Sequence, residues 1–376
     1  MKLVLDTEQE DLRAAVRRFL SDKAPSERVR AVMDGAAEQG PGHDPAVWSG
    51  LGALGVLGLV VPEELGGAGA GHVERAVVAE ELGRALTPVP FMASAVLATD
   101  ALLAIDDDGA RTEFLPRLAS GELIGTVAVA ERGGEWDRTG GATTATERDG
   151  RWELTGTKTP VLAGDTADVV LVVARTPDGP GWFAVDAGAH GLTRRRLTGL
   201  DPTRRVARLE FDTTPARRLA TGDATAAAAA VDLVADLAAV ALAAEQTGAL
   251  QRAMELTVDY AKVRVQFGRP IGSYQAVKHG CADMYSAWEH AVSVLRYAAW
   301  TADHDRGELP LAAALAQTYI GPAGFATATG MVQYHGGVGY TWEHDAHLYY
   351  KRAKSSEQLL GPPSAHRARL ADRLGV

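Results

Sequence analysis

The change from helical to strand patterns and back again is the feature that most limits how this chain can fold. Apolar residues recur at helical spacing before residue 121, short apolar runs separated by Gly and Pro follow, and helical spacing returns after residue 220. Short strands punctuated in this way are typical of a small barrel or sandwich. We therefore predict an α+β fold with an N-terminal helical domain (1–120), a central β-barrel or β-sandwich domain (121–220) and a C-terminal four-helix bundle (221–376).

The N-terminal helices are predicted from spacing and capping signals. Leu12, Val16 and Leu20 lie four residues apart, and Thr7 followed by Glu10 resembles a capping box. In the central domain, apolar runs of strand length are followed by Gly or Pro, and Gly156 is predicted to end a strand in a turn. These runs lie at 126–129, 168–174, 182–185 and 207–211.

The C-terminal bundle is predicted from four helical segments, at 221–250, 247–265, 275–302 and 311–331. The first is the longest apolar run of the chain, but it is mostly alanine and is interrupted by Asp232 and Asp236. Alanine is too weakly hydrophobic to favour a bilayer, so we predict a buried helix and no membrane span.

Composition narrows the class of protein. The net charge is -10 and the pI is about 5.5, which argues against a nucleic-acid partner because phosphate binding needs a basic face. Cys281 is the only cysteine, so neither an intramolecular disulfide nor a cysteine-rich zinc site is expected. His335, His344 and His347 are close in sequence but lack a tetrahedral ligand set, and we predict no metal site. The first twenty residues do not have the pattern of a signal peptide, which favours a cytoplasmic protein.

Two motifs carry a family resemblance. The segment 260–279 contains Arg264, Phe267, Gly268 and Gln275, and it resembles the "R-x-x-F-G-x-x-I-x-x-x-Q" signature of acyl-CoA dehydrogenases. The segment 333–340, Gln-Tyr-His-Gly-Gly-Val-Gly-Tyr, resembles the second signature of that family, "Q-x-x-G-G-x-G-Y/F". Both occur in the expected order and separation, and the resemblance extends over essentially the whole chain.

The resemblance implies FAD as cofactor and assigns residues to it. Arg264 matches the position that meets the pyrophosphate, for which an arginine fork is an apt partner. Gln266 and Phe267 match positions that act on the FAD of a neighbouring subunit, so a homo- or hetero-oligomer is expected. The adenine-side loop is matched by Gln333, Gly336 and Gly337, and glycines there let backbone N–H groups approach a phosphate or ribose.

The central domain departs from the family pattern. The usual flavin-contacting strand, "T-E-P-x-x-G-S-D", is replaced by the segment 130–137, in which Ala130 removes a hydroxyl and Trp136 replaces a small serine. The next strand usually reads "K-x-W-I-T", and here Pro160 takes the place of the tryptophan. The resemblance assigns all three residues to the flavin site, and the changes predict a weakened one.

The family's catalytic base is missing from both of its usual places. Those positions hold Leu360 and Ala238, and neither side chain accepts a proton. Glu357 and Glu245 are the two candidates for a relocated base, and Asp236 is a more distant one. A structural ion pair is the alternative for Glu245. The cluster 343–345 reads either as a catalytic pair or as a helix start with surface charge.

The resemblance implies α,β-dehydrogenation of an acyl thioester on CoA or an acyl-carrier protein, with electron-transfer flavoprotein or a similar acceptor. Arginines at 194–196 and 204–205 are candidates for the CoA phosphates or for a solvated surface. Three hypotheses stay open: an FAD-dependent dehydrogenase with a relocated base, a non-catalytic subunit of a mixed tetramer, and a flavin enzyme with different chemistry, such as a monooxygenase.

Overall fold

The computed structural model describes residues 3–37, 40–134 and 136–376. Helices come first, seven strands follow, and helices return, which confirms the predicted α+β class. The α-helices of the described residues are α1 (Thr7–Lys23), α2 (Ser26–Ala37), α3 (Pro45–Ala53), α4 (His72–Arg84), α5 (Thr99–Ala104), α6 (Asp108–Ser120), α7 (Ala224–Val263), α8 (Gln275–His304), α9 (Leu309–His335), α10 (Ala346–Gln358) and α11 (Pro363–Leu374).

Two compact units make up the chain. The first contains Met1–Arg30, His72–Thr87 and Ala239–Val376, and the second contains Ala31–Gly71 and Pro88–Ala238. Helix α7 begins in the second unit and continues into the first.

The N-cap of helix α1 lies one residue before the predicted capping residue, Thr7. Asp6 is the N-cap, because its carboxylate accepts from the backbone N–H of Gln9 while the Gln9 side chain accepts from the backbone N–H of Asp6. The capping-box prediction on Thr7 and Glu10 was therefore wrong in register. The same chemistry occurs at the preceding position, where Asp is as good a cap as Thr.

The strands of the second unit close into a ring. Strand β4 pairs with β2 and β5, and the path continues through β3 and β7 back to β5, while β1 and β6 add at the sides. The ring encloses a core that includes Phe183, Val172 and Leu209, each fully buried. The seven strands are β1 (Gly125–Ala128), β2 (Thr144–Arg148), β3 (Arg151–Leu162), β4 (Val169–Thr176), β5 (Gly179–Asp186), β6 (Leu192–Arg196) and β7 (Val206–Arg218).

Strand β3 continues through the turn that was predicted at Gly156. The register between β3 and β7 shifts between Leu154 and Gly156, and the φ of Gly156 is 148°. A Cβ at Gly156 would lie 2.7 Å from the Cα of Thr143. Glycine here marks a bulge and a close backbone approach, so the predicted turn was wrong.

Helix α7 is continuous over 40 residues, although two helices were predicted in its place. No proline interrupts it, and the hydroxyls of Thr247 and Thr257 each donate to a carbonyl one turn earlier, which keeps both residues compatible with a helix. By length and composition it could cross a membrane, but 67% of its most apolar window is buried inside the protein.

Glycines allow α4 and α7 to approach closely within the first unit. A Cβ at Gly83 would collide with the carbonyl oxygen of Glu245, and one at Gly248 would collide with that of Glu80. Helix α9 contacts α8, α10 and α11, and its Gln317 side chain donates 2.7 Å to the carbonyl of Ala239 in α7. Helices α7, α8 and α9 occupy the region predicted as a four-helix bundle, with α7 in place of two of the four predicted helices, and α10 and α11 pack against α9.

Candidate functional site

Aromatic stacking brings the two signature segments together at one end of the first unit. The ring of Tyr260, near the end of α7, stacks on His335, the last residue of α9, at a centroid distance of 4.3 Å. The ring of His344 then packs on His335 at 4.6 Å. Residues 264–270 and 336–340 follow these two helix ends and therefore share one region of the surface.

The first signature forms a short hairpin. Strand β8 (Val265–Gln266) pairs with β9 (Arg269–Pro270), and the turn between them places Phe267 at φ 49° and Gly268 at φ 77°. Positive φ at both turn residues is typical of a tight hairpin turn. The turn projects the Phe267 side chain into solvent, where 93% of it is exposed.

Arg264 precedes this hairpin and is held through its backbone. Its N–H donates to the carbonyl of Tyr260, and its carbonyl accepts from the N–H of Ile271. The side chain is exposed, and no carboxylate within the described ranges pairs with its guanidinium. A fork of free donors on a fixed backbone suits a phosphate ligand.

The second signature presents open backbone. Helix α9 ends at His335, and Gly336 follows at φ 60°. A Cβ at Gly336 or Gly337 would meet nothing within 4 Å, and Gln333 is exposed beside them. The structure therefore brings Arg264, Gln333 and the two glycines to one accessible surface, which fits a nucleotide pyrophosphate and the groups beyond it.

Large apolar side chains surround these residues. Several that are exposed come from the two signatures and their flanks, and a cluster of this kind marks an interaction surface. They are Val263 (74% exposed), Val265 (53%), Phe267 (93%), Val338 (42%), Tyr340 (84%) and Trp342 (55%), which we call the signature surface.

In the second unit, Ala130 is bonded to strand β3 next to Pro160. The carbonyl of Ala130 accepts from the N–H of Thr159 at 2.8 Å, and Ala130 is buried. Pro160 is exposed and has no N–H, while Trp136 is half-buried. Neither Ala130 nor Pro160 offers a side-chain hydrogen-bond donor to a flavin ring. The residues of the second unit therefore fit the ring of FAD poorly, whereas Arg264 and the two glycines of the first unit fit its nucleotide part well.

Glu245 is locked in an ion pair. Its Oε1 lies 2.6 Å from Nη1 of Arg352 on α10, and both side chains are buried. Glu245 therefore forms the structural ion pair that the sequence analysis gave as the alternative to a catalytic base. A buried carboxylate whose oxygen is already bonded to a guanidinium is not free to reach the α proton of a substrate.

Glu357 lies near the end of α10 and is also buried. Its Oε2 accepts from Nζ of Lys354 at 2.6 Å and from Nε2 of Gln358 at 3.3 Å. The Leu360 position follows at φ 64°, outside any helix, and Ala238 is fully buried in α7. Neither of the two expected base positions carries a titratable group.

The 343–345 cluster starts a helix. The carboxylate of Asp345 accepts from Ser26 at 2.6 Å and from Arg30 at 2.7 Å, and Nδ1 of His344 accepts from the N–H of Ala346. Burial lowers the pKa of His344, and the opposing effect of the neighbouring Asp345 carboxylate does not outweigh it. Among residues 3–37, 40–134 and 136–376, no three His, Cys, Asp or Glu side chains gather as metal ligands.

Part of the arginine-rich segment of the barrel serves structure. The guanidinium of Arg194 donates a hydrogen bond to the carbonyl of Ala167, at a donor–acceptor distance of 2.8 Å. Arg205 forms an ion pair with Asp165 at 2.6 Å and donates a hydrogen bond to the carbonyl of Gly40. A cavity of about 300 Å³ in the first unit, lined by residues of α1, α2, α4, α7 and α10, includes Asp345 of the 343–345 cluster but none of the residues predicted to bind the cofactor or to act as a relocated base.

One group near the predicted flavin strands was not predicted. Lys158 is fully buried and pairs with Glu131 at 2.9 Å. Lys158 lies in β3 and Glu131 follows β1, 27 residues earlier in the chain, so local spacing in the sequence gave no signal for their pairing.

Three family models together match nearly the whole chain. The description "Acyl-CoA dehydrogenase, N-terminal domain" applies to residues 6–122, "Acyl-CoA dehydrogenase, middle domain" to 126–214, and "Acyl-CoA dehydrogenase, C-terminal domain" to 205–375.

Two curated relatives are similar over their full lengths. The acyl-CoA dehydrogenase IpdE2 of Mycolicibacterium smegmatis is 37% identical over 369 residues, which cover 97% of this chain and 98% of that protein. IpdE2 of Mycobacterium tuberculosis is 38% identical over 357 residues, which cover 95% and 94%.

Two solved structures are similar in fold and sequence. A variant of the Tcur3481-Tcur3483 steroid ACAD has a TM-score of 0.87 and 34% identity, covering 98% of both chains. The ChsE4-ChsE5 complex from Mycobacterium tuberculosis has a TM-score of 0.89 and 30% identity, covering 100% of this chain and 99% of that one.

Proposed function

Because this chain belongs to the acyl-CoA dehydrogenase family, we propose that it is the base-lacking subunit of a heteromeric, FAD-dependent acyl-CoA dehydrogenase. In this assembly it supplies nucleotide-binding residues to a flavin shared with a second chain. The observation that carries the proposal is the contrast between its two groups of cofactor residues: Arg264 and the two glycines are free and exposed, whereas Ala130 and Pro160 offer no side-chain donor.

The proposed reaction is α,β-dehydrogenation of an acyl thioester, for which bound FAD supplies the hydride acceptor. A base has to remove the α proton. The two expected base positions hold Leu360 and Ala238, and Glu245 is bound to Arg352. The base therefore comes from the second chain in this proposal, and Arg264, Gln266 and Phe267 act on the cofactor from their exposed hairpin.

The signature surface supports an assembly. An exposed apolar cluster beside unpaired polar groups is expected to be covered by a partner. Two similar solved structures have names that pair two proteins, Tcur3481-Tcur3483 and ChsE4-ChsE5. The first is named a steroid ACAD, so steroid acyl-CoA thioesters belong beside straight-chain ones among the substrates to test. Electron-transfer flavoprotein as acceptor and a cytoplasmic location complete the proposal.

A stand-alone dehydrogenase is the second candidate, and Glu357 is the observation that favours it. This carboxylate is buried near the Leu360 position and is bonded to Lys354, a neighbour on its own helix. If Glu357 is the base, the chain alone oxidises acyl-CoA, and Glu357→Gln abolishes that activity while Glu245→Gln leaves it intact.

Co-expression tests the proposal. The chain is purified alone and together with a second acyl-CoA dehydrogenase family member that carries a glutamate at one of the two base positions, and each sample is analysed by native mass spectrometry and flavin absorbance. We expect a colourless chain alone and a mixed complex with one FAD per two chains. A homo-oligomer of this chain that carries one FAD per chain would overturn the proposal.

A further inference from the structure

The buried ammonium of Lys158 ties together two stretches of backbone near the predicted flavin residues. Its Nζ donates to the carbonyl of Val129 at 3.0 Å, to the carbonyl of Gly140 at 3.1 Å and to Oε1 of Glu131 at 2.9 Å. An ammonium has three N–H donors, so all of them are used. Lys158 is fully buried, and burial lowers its pKa while Glu131 opposes that shift.

Glu131 completes the connection from the other side. Its carboxylate accepts from the N–H of Ala142 at 2.8 Å, from the N–H of Thr143 at 2.9 Å and from the Thr143 hydroxyl at 2.8 Å. Burial alone would raise the pKa of Glu131, but these hydrogen bonds and Lys158 outweigh it and lower that pKa to about 2. The carboxylate is therefore ionised at neutral pH, and it joins the start of segment 131–143 to its end.

Two glycines make this arrangement sterically possible. Gly140 has φ 91° and Gly141 has φ 69°. A Cβ at Gly140 would lie 2.7 Å from the backbone N of Arg175, and one at Gly141 would lie 2.5 Å from Oε1 of Glu131. Both positions need glycine for conformation and for space.

We propose that Glu131 and Lys158 are positioning residues that hold residues 131–134 and 136–143 of this segment in place before any flavin or partner binds. The segment carries Trp136 and follows Ala130 directly, so its order determines how this chain meets a flavin. The effect of this ordering on flavin binding rests on the proposed function. The cost in entropy of ordering the segment is met during folding of the chain and is absent from the binding step, which favours cofactor retention.

Hydrogen exchange on the isolated, flavin-free chain tests the ordering directly. In the wild type, we expect the amides of Ala142 and Thr143 to be protected, because both donate to Glu131. Lys158→Met should increase their exchange at least about tenfold, since the carboxylate loses its buried counter-ion. Thr143→Val, which removes one hydrogen bond to Glu131, should produce a smaller increase and serves if Lys158→Met fails to fold.

Arg138→Gln is the matched control. Arg138 lies in the same segment, and its exposed ion pair with Asp232 is 2.7 Å long, so its loss should change the exchange of Ala142 and Thr143 by less than about twofold. Unprotected amides in the wild type, or equal rates in wild type and both Lys158→Met and Thr143→Val, would overturn the inference.

A second measurement separates this inference from the proposed function. In the mixed complex, Lys158→Met should weaken FAD binding about tenfold while association of the two chains is unchanged. If the wild-type complex holds no FAD, the proposed function fails, but the exchange result on the isolated chain still decides whether Glu131 and Lys158 position the segment.

Discussion

At the residue scale, the ion pair of Glu245 and Arg352 joins α7 to α10 at 2.6 Å with both side chains buried. Arg352→Met leaves a buried carboxylate without its guanidinium. We expect the free energy of unfolding to fall by about 3–5 kcal/mol, measured by chemical denaturation. The double variant Glu245→Leu/Arg352→Met should return to within about 1 kcal/mol of the wild type or exceed it.

An exposed ion pair on the same helix is the control. Lys262 and Asp259 are 3.3 Å apart and largely exposed, so Lys262→Met should cost less than about 0.5 kcal/mol. Equal losses for Lys262→Met and Arg352→Met would show that burial does not determine the contribution of the Glu245 pair.

The low pKa of Glu131 predicts a pH dependence of stability. Its pKa is lowered from 4.5 to about 2 in the folded chain. The stabilisation is therefore complete above about pH 4.5 and is lost as the pH falls toward 2. Urea unfolding should give a stability difference between wild type and Glu131→Gln that is larger at pH 5 than at pH 3. A difference that does not change with pH would contradict the assignment.

The sequence offered candidate residues at these sites, but it gave no signal for their partners. The motifs assign Arg264 and Gly336 to the cofactor, and both are exposed in the structure. The partners of Glu245 and Glu131 lie 107 and 27 residues away, and such long-range pairs leave no periodic signal. All the cofactor and base assignments, those of Arg264 and Gly336 included, remain predictions.

At the element scale, the crossing of α4 and α7 depends on glycine. Gly248→Ala places a methyl group against the carbonyl oxygen of Glu80, and we expect a loss of about 1–3 kcal/mol or more from overpacking. Gly324→Ala in α9 is the matched comparison, because a Cβ there meets nothing within 4 Å. It should gain up to about 1 kcal/mol from helix propensity. Thermal denaturation of both variants checks the contrast, and equal shifts of the same sign would refute it.

Element types followed from periodicity, whereas the ends of elements depended on tertiary contacts. The alanine-rich helix was predicted, but its continuity through Thr247 and Gly248 was not, because Gly in a helix usually weakens it. In α7 the close packing against Glu80 favours glycine at that position. In β3 the bulge at Gly156 was likewise mistaken for a turn, since both uses of glycine look alike in sequence.

At the scale of the whole molecule, the signature surface is the part of the chain that an assembly would cover. Phe267 is 93% exposed, so Phe267→Ala should change the stability of the isolated chain by less than about 0.5 kcal/mol. If a partner chain buries the Phe267 side chain, Phe267→Ala should weaken assembly or FAD retention at least about tenfold. Analytical ultracentrifugation with flavin absorbance measures both. Leu54→Ala, at an exposed leucine outside the signature surface, should leave assembly unaffected.

The order of helices, strands and helices was predictable because each region has its own hydrophobic period. The choice between a barrel and a sandwich stayed open, because closure depends on the pairing of β5 with β7 and of β2 with β4, which lie apart along the chain. The same limit applies to function: the motifs imply a flavin, but this sequence carries no signal for the second chain of the proposed assembly.

The visible spectrum during anaerobic addition of acyl-CoA, including steroid acyl-CoA, tests the central claim most directly. Reduction by substrate bleaches the flavin band because the hydride ends on the flavin. For the mixed complex we predict a flavin band that bleaches, and for this chain alone we predict no band. The account would be contradicted if this chain alone had a flavin band that acyl-CoA bleaches. If the Glu357→Gln variant then kept its flavin band but no longer bleached with acyl-CoA, the chain would be a complete dehydrogenase with Glu357 as its base.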